Sequence, residues 1–223
     1  MNFMQLLRSL DELLYEVMSW LVFFPLTLWR TLRHPLQMMD YASRELGDAE
    51  ERQYDDTLSP PLFLLLALLV SHGLELAFLA GVNPIIADRR GLAGLVNDDT
   101  SLLLLRLALF SLIPLVLAVS LLHGKREPVT RHTLKAPFYA QCYAAAPFAL
   151  VLGIGALLMQ NKAPGVILAG VGLFLVAIGA YFAIQVAWFR KHLRAGLLRT
   201  LAHSASGFAA GLALMAVVGV LFG

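Results

Sequence analysis

Charge is scarce in this chain and cysteine nearly absent. Of its 223 residues only 14% are Asp, Glu, Lys or Arg, while 59% are hydrophobic. Soluble domains carry about 25% charged and roughly 45–50% apolar residues, so a water-facing fold could not cover this much apolar surface. The same composition excludes a disordered polymer, a disulfide scaffold and a nucleic-acid-binding domain. Cys142 is the one cysteine and has no partner within the chain, so no internal disulfide forms. The net charge of +2 is too small to name a partner. Motifs for chemistry are missing too: the sequence holds no Walker A loop, HExxH, nucleophile elbow or paired Asp-rich motif. These absences point away from an enzyme and from any cofactor. The first residues lack a basic leader ahead of an apolar core, so they read as part of the fold rather than as a signal peptide.

What the chain does have is long apolar runs. Five stretches, 62–81, 101–122, 138–159, 165–188 and 204–222, have about the 20 residues a bilayer crossing takes. Pro60-Pro61, Asn83-Pro84, the charged run at 125–127, Asn161-Lys162 and Arg190-Lys191 punctuate them. Each predicts a helix, because a bilayer core leaves backbone groups no partners except their own. Barrel strands are about half as long and alternate with period two, which these do not. Lysine and arginine set an expected orientation. Thirteen fall before the first run, after the second and after the fourth; only Arg89, Arg90 and Lys162 fall on the other side, with Arg106 inside a run. The positive-inside bias then puts the N-terminus in the cytoplasm and the C-terminus outside.

Residues 1–61 differ from residues 62–223 and read as a cytoplasmic region ahead of the membrane domain. Phe3, Leu6, Leu7, Leu10, Leu13, Leu14, Val17, Met18 and Leu21 keep helical spacing, with Arg8, Asp11, Glu12 and Glu16 elsewhere. This predicts an amphipathic helix lying in the interface. The apolar stretch 17–29 is too short to span and contains Pro25, so it reads as a second, interfacial or re-entrant piece anchored by Trp20 and Trp29; a sixth span is the alternative. Residues 40–56 hold seven acids against Arg44 and Arg52. They suggest either a solvated linker or a salt-sensitive lid over the basic loops. The expected fold is therefore an all-α integral membrane protein, a five-transmembrane-helix bundle with an N-terminal interfacial amphipathic helix.

Ionisable groups at membrane depth are the first place to look for function. His72 and Glu75 lie in the first run and Arg106 in the second. The runs are consecutive and antiparallel, and the spacing predicts a Glu75–Arg106 ion pair. The pair either fixes helix register or belongs to a pathway that includes His72. His123, His132, His192 and His203 cluster near the basic loops, but their spacing fits no ligand motif and the surrounding cations repel a metal, so no metal site is expected and headgroup contact is preferred. Gly207 and Gly211 form a GxxxG that suits close helix packing, within the chain or in a homo-oligomer. Pro114 and Pro147 interrupt the second and third runs. No inverted repeat of broken helices is visible, which weakens a secondary transporter.

One stretch carries a family resemblance. The residues from Thr133 to Pro147, TLKAPFYAQCYAAAP, place a charged helix start before Tyr143, small residues and Pro147. Leu32-Arg-His-Pro35 and Ser59-Pro-Pro-Leu-Phe63 mark the approach to the membrane with proline. Together with five closely spaced spans, this resembles the Yip family (Ypt/Rab-interacting membrane proteins) and its bacterial Yip-domain relatives, over about residues 30–200. The fourth run departs from the family pattern at Val186-Ala-Trp-Phe-Arg190. The resemblance implies a non-enzymatic membrane protein organising lipids or a partner complex, with no family catalytic residues to carry over. The alternative is a small permease or transporter subunit using His72, Glu75 and Arg106. Expected partners are anionic lipid headgroups at the basic loops and a membrane protein or second copy, and no nucleic acid.

Overall fold

The computed structural model describes residues 3–78, 99–193 and 196–222, apart from the side chains of 3–8, 99–103, 106, 197, 215 and 218–222. Seven α-helices fill them: α1 Phe3–Arg33, α2 Pro35–Glu45, α3 Pro60–Phe78, α4 Asp99–Lys125, α5 Arg131–Met159, α6 Pro164–Leu193 and α7 Leu197–Phe222. A 3₁₀ turn spans Glu50–Arg52. The chain is an integral membrane protein. Five helices are long and apolar enough to cross a bilayer: Ser9–Arg33, Pro60–Phe78, Leu107–Lys125, Arg131–Met159 and Pro164–Leu193. α7, at 26 residues, has the length as well.

Ser9–Arg33 corrects the sequence reading. α1 is one helix of 31 residues running through Pro25, not an amphipathic helix followed by a separate apolar piece. A proline in a helix frees one carbonyl and adds a clash, but the apolar residues on both sides keep the rest of the backbone paired with itself. α1 is also the least apolar of the five, with a mean hydropathy of 1.2 against 1.9–2.4 for the others. Its contacts with the rest of the bundle come from its second half. The Phe24 ring meets Phe63 of α3 at 5.6 Å, Thr27 bonds Leu58 just before α3, and Thr31 and Leu32 share a cavity wall with α5 and α6.

α5 is the central element, packed by α2, α3, α4 and α6, while α7 packs on α4 and α6. Its start is fixed locally: Thr130 Oγ1 accepts from Thr133 N–H at 3.2 Å, and Thr133 Oγ1 accepts from Thr130 N–H at 3.0 Å. This capping box satisfies two amide groups that the first turn otherwise leaves open. Hydrocarbon tails are as apolar as leucine, so helices in a membrane gain from close contact rather than from escaping water. α5 and α6 show the consequence. A Cβ on Gly170 would stand 2.8 Å from Gly155 O and 2.9 Å from Met159 N, so only glycine permits this crossing. Gly207 and Gly211 face α4, where added Cβ atoms would meet Ser120 at 3.1 Å and Ile113 at 3.5 Å.

α3 and α5 start, and α4 and α6 finish, at one end of the bundle. Lys125, Arg126, Arg131, Lys135, Arg190 and Lys191 gather there, and it is called the basic end below.

Candidate functional site

Two places in the structure concentrate polar groups among apolar ones. The first joins residues 27–58 to α5 at the basic end. α2 begins with Pro35 at its first position, where a missing N–H costs nothing, and buries Met38, Met39 and Ala42 against the core. The acidic stretch 40–56 is thus helical as far as Glu45, which neither the linker nor the lid reading anticipates. Beyond it, the Tyr54 N–H donates to Glu45 Oε2 at 2.7 Å and the Tyr54 hydroxyl to Ala42 O at 3.1 Å. Tyr54 adopts a φ of 62°, a left-handed conformation costing about 1 kcal/mol for a residue with a Cβ. The two bonds and the burial of its ring offset that strain.

Tyr143 closes this joint from α5. Its side chain is fully buried, and its hydroxyl donates to Leu58 O at 2.7 Å. Thr57 Oγ1 lies 3.2 Å from both the Tyr143 and the Tyr41 hydroxyls, so its single proton can serve only one of them at a time. Tyr41 donates to Asp56 Oδ1 at 2.6 Å, and Arg30 donates to Asp56 Oδ2 at 2.7 Å. The Leu58 N–H donates to Thr27 Oγ1 at 3.1 Å. The Asp56 carboxyl is held below its ordinary pKa, first by the Tyr41 hydroxyl, against desolvation, with the Arg30 guanidinium adding to the lowering. Burial and the facing carboxylate push the Tyr41 phenol upward. Lys191 pairs with Asp40. Of the acids in 40–56, then, Asp40 reaches a basic loop while Asp56 pairs within its own region; the segment is folded onto α5 rather than spread across both loops.

The second place is a cavity of about 430 Å³ bounded by α3, α4, α5, α6 and α7. Leu68, Phe148 and Phe208 form its deep wall, and its polar side chains are Ser71, Glu75 and Gln160. Glu75 lies one turn before the end of α3 and Gln160 just beyond α5, so the polar side chains mark the end opposite the basic one. Phe148 stacks on Tyr181 at 4.3 Å and 11°. It also lines a second cavity of about 310 Å³ beneath Thr31, Leu32 and Pro35. Phe148 is the residue that lines both cavities.

The residues singled out in the sequence fall as follows. Glu75 lines the larger cavity, half-buried. His72 is buried at 5% exposure on another side of α3. The Arg106 side chain, and with it the Glu75–Arg106 pair, lies outside the described residues. Tyr143 is the keystone of the basic-end joint, and Pro147 is buried four residues further along, lining the smaller cavity. Among the described residues no three His, Cys, Asp or Glu stand together as a metal site; His123 and His192 each turn Nδ1 to the carbonyl four residues back, at 3.1 and 3.0 Å. Sequence reasoning missed one pair. Gln141 and Gln185, both fully buried, exchange two hydrogen bonds of 2.8 Å between α5 and α6. The signal was present, because they are the two glutamines inside the five apolar runs.

Compared with protein families, with curated proteins and with solved structures, the chain matches none. The geometry of the two places is therefore what carries a functional reading.

Proposed function

We propose that this is a non-enzymatic membrane protein of Yip-like type that holds the apolar part of a membrane lipid between its helices. The carrying observation is the larger cavity: its size falls in the range of small-molecule pockets, and of its sixteen lining residues Ser71, Glu75 and Gln160 bear the polar side chains, gathered toward one end. An apolar chamber with polar groups at one end suits an amphiphile whose tail lies inside. In this reading the membrane is a bacterial inner membrane, the basic end is cytoplasmic, and Arg131, Lys135 and Arg190 meet anionic headgroups there, a contact that salt weakens. A membrane partner or a second copy would then dock on the outer helix faces.

The test is Ala156→Phe, which fills the cavity from α5. Native mass spectrometry from mild detergent should find lipid retained by the wild type and lost from the variant, with both still folded. Equal lipid on the two, or none on the wild type, would sink the reading. A second reading, a small permease using His72, Glu75 and Arg106, draws support from Glu75 on the cavity wall. It expects proteoliposomes to take up a small solute in a manner abolished by Glu75→Gln.

A further inference from the structure

The smaller cavity differs in chemistry from the larger one. It follows α6 from Leu173 to Ile184, roughly 16 Å at 1.5 Å per residue, inside the apolar run 165–188. The end of α1, the start of α2 and part of α5 complete its wall. At about 310 Å³ it stands at the lower limit of small-molecule pockets. Leu32, Val176 and Ala180 on its rim are exposed, so the mouth faces outward between α1 and α6, where a spanning helix meets acyl chains. None of the thirteen described residues lining it is charged, and Thr31 and Tyr181 bear its polar side chains.

Thr31 is engaged, its hydroxyl donating to Thr27 O at 2.7 Å. The Tyr181 hydroxyl is buried, on a residue 1% exposed, and makes no hydrogen bond. Gln185 stands beside it, one turn on, but that amide exchanges two hydrogen bonds with Gln141. A phenylalanine would stack on Phe148 equally well and would avoid burying a hydroxyl without an acceptor. The hydroxyl therefore calls for an acceptor from outside the chain, and the lining limits its kind. A charged molecule finds no counter-ion here and is expelled from the apolar run, while a pure hydrocarbon leaves the hydroxyl as it is. We infer that the smaller cavity binds a neutral, lipid-soluble molecule whose carbonyl oxygen accepts a hydrogen bond from Tyr181. A glycerol ester and a quinone ring share that chemistry. The inference does not rest on lipid in the larger cavity, since the two cavities share Phe148 and no other lining residue.

The test titrates the full chain in mild detergent with dioctanoylglycerol or, separately, with decylubiquinone, and follows bound probe by native mass spectrometry. Tyr181→Phe keeps the stacked ring and removes the donor, and should weaken binding about five- to tenfold. Its signature is in the infrared: the carbonyl stretch of the bound probe, shifted to lower frequency on the wild type, should return to its position in hydrocarbon. Ala180→Trp at the mouth should abolish binding, and Ala156→Phe, which fills the larger cavity, should leave it unchanged. Binding of one probe and not the other supports the inference and identifies the source as ester or quinone. Failure of both probes to bind, or equal affinity for wild type and Tyr181→Phe, would overturn it. So would probe lost from Ala156→Phe but kept by Ala180→Trp, which puts the ligand in the larger cavity. A lower unfolding midpoint of Tyr181→Phe without probe would assign the hydroxyl to Gln185 and overturn it as well.

Discussion

α5 is joined to its neighbours by two different kinds of contact. Toward residues 27–58 the joint is polar, made of Tyr143, Thr57, Tyr41, Asp56 and Arg30 around main-chain groups of Leu58. Toward α6 it is largely steric, with Gly155 and Gly170 in backbone contact and one amide pair, Gln141 with Gln185, sealed inside. In the polar joint Thr27, Thr57, Leu58 and Tyr143 are buried but bonded to one another, with Arg30 and Asp56 exposed at its edge, so the joint is a sum of separate bonds worth about 1 kcal/mol each. Within the bilayer a freed amide finds no water, and helices without a hydrophobic drive between them depend on contact area. A joint of many weak bonds tolerates loss by degrees, whereas a joint of surfaces fails at the closest point.

The comparison can be broken most severely at that closest point. Gly170→Leu forces a side chain into Gly155 O and Met159 N, and should cost about 3 kcal/mol or prevent folding. Thermal unfolding in detergent checks it, and an unchanged midpoint would mean that α5 and α6 do not cross so closely. Gln141→Leu leaves the Gln185 amide buried without its partner and should cost roughly 1–2 kcal/mol. Adding Gln185→Leu should recover most of that, and a double-mutant cycle in denaturant gives the coupling. Tyr143→Phe keeps the ring and removes its bond to Leu58 O, for about 1 kcal/mol. Its signature is local: amide exchange should speed up at residues 54–58 while the unfolding midpoint barely moves, and a uniform change would assign Tyr143 to the core as a whole. The smallest effect is that of pH. Because the folded Asp56 carboxyl titrates below its ordinary value near ~4, its contribution is fully present above that value and fades as pH falls through the lower, folded one. Asp56→Asn should remove this pH dependence from the exchange of residues 54–58, and salt should weaken the exposed Arg30–Asp56 contact in the wild type.

The membrane-spanning character was legible because apolar runs of span length have few other meanings. α1 was harder. Pro25 suggested a break, and a run judged from 17–29 alone looked short, because the length that carries the helix to Arg33 comes from mixed residues on either side. α2 was hidden by its own acids; His34-Pro35 was the available signal, a proline suited to a first turn. The basic-end joint was legible by half. Tyr143 stood out through the Yip-like stretch, but its partner is a carbonyl of Leu58, and main-chain groups leave no mark in a sequence. Gln141 and Gln185 were overlooked because attention went to charged groups at membrane depth, although amides there follow the same rule. The cavity had no sequence signal at all, because it is lined by residues from five helices that the sequence does not show to be neighbours.

The ring of Phe148 has space on both of its flanks and Tyr181 stacked on one face. Side chains in dense interiors are caged by repulsion from all directions and turn slowly. Phe148 is buried in the core, and the stacking contact with Tyr181 adds on the order of 1 kcal/mol to its packing. A change in size at position 148 would therefore alter both chambers at once, although they lie on different sides of the α5–α6 contact.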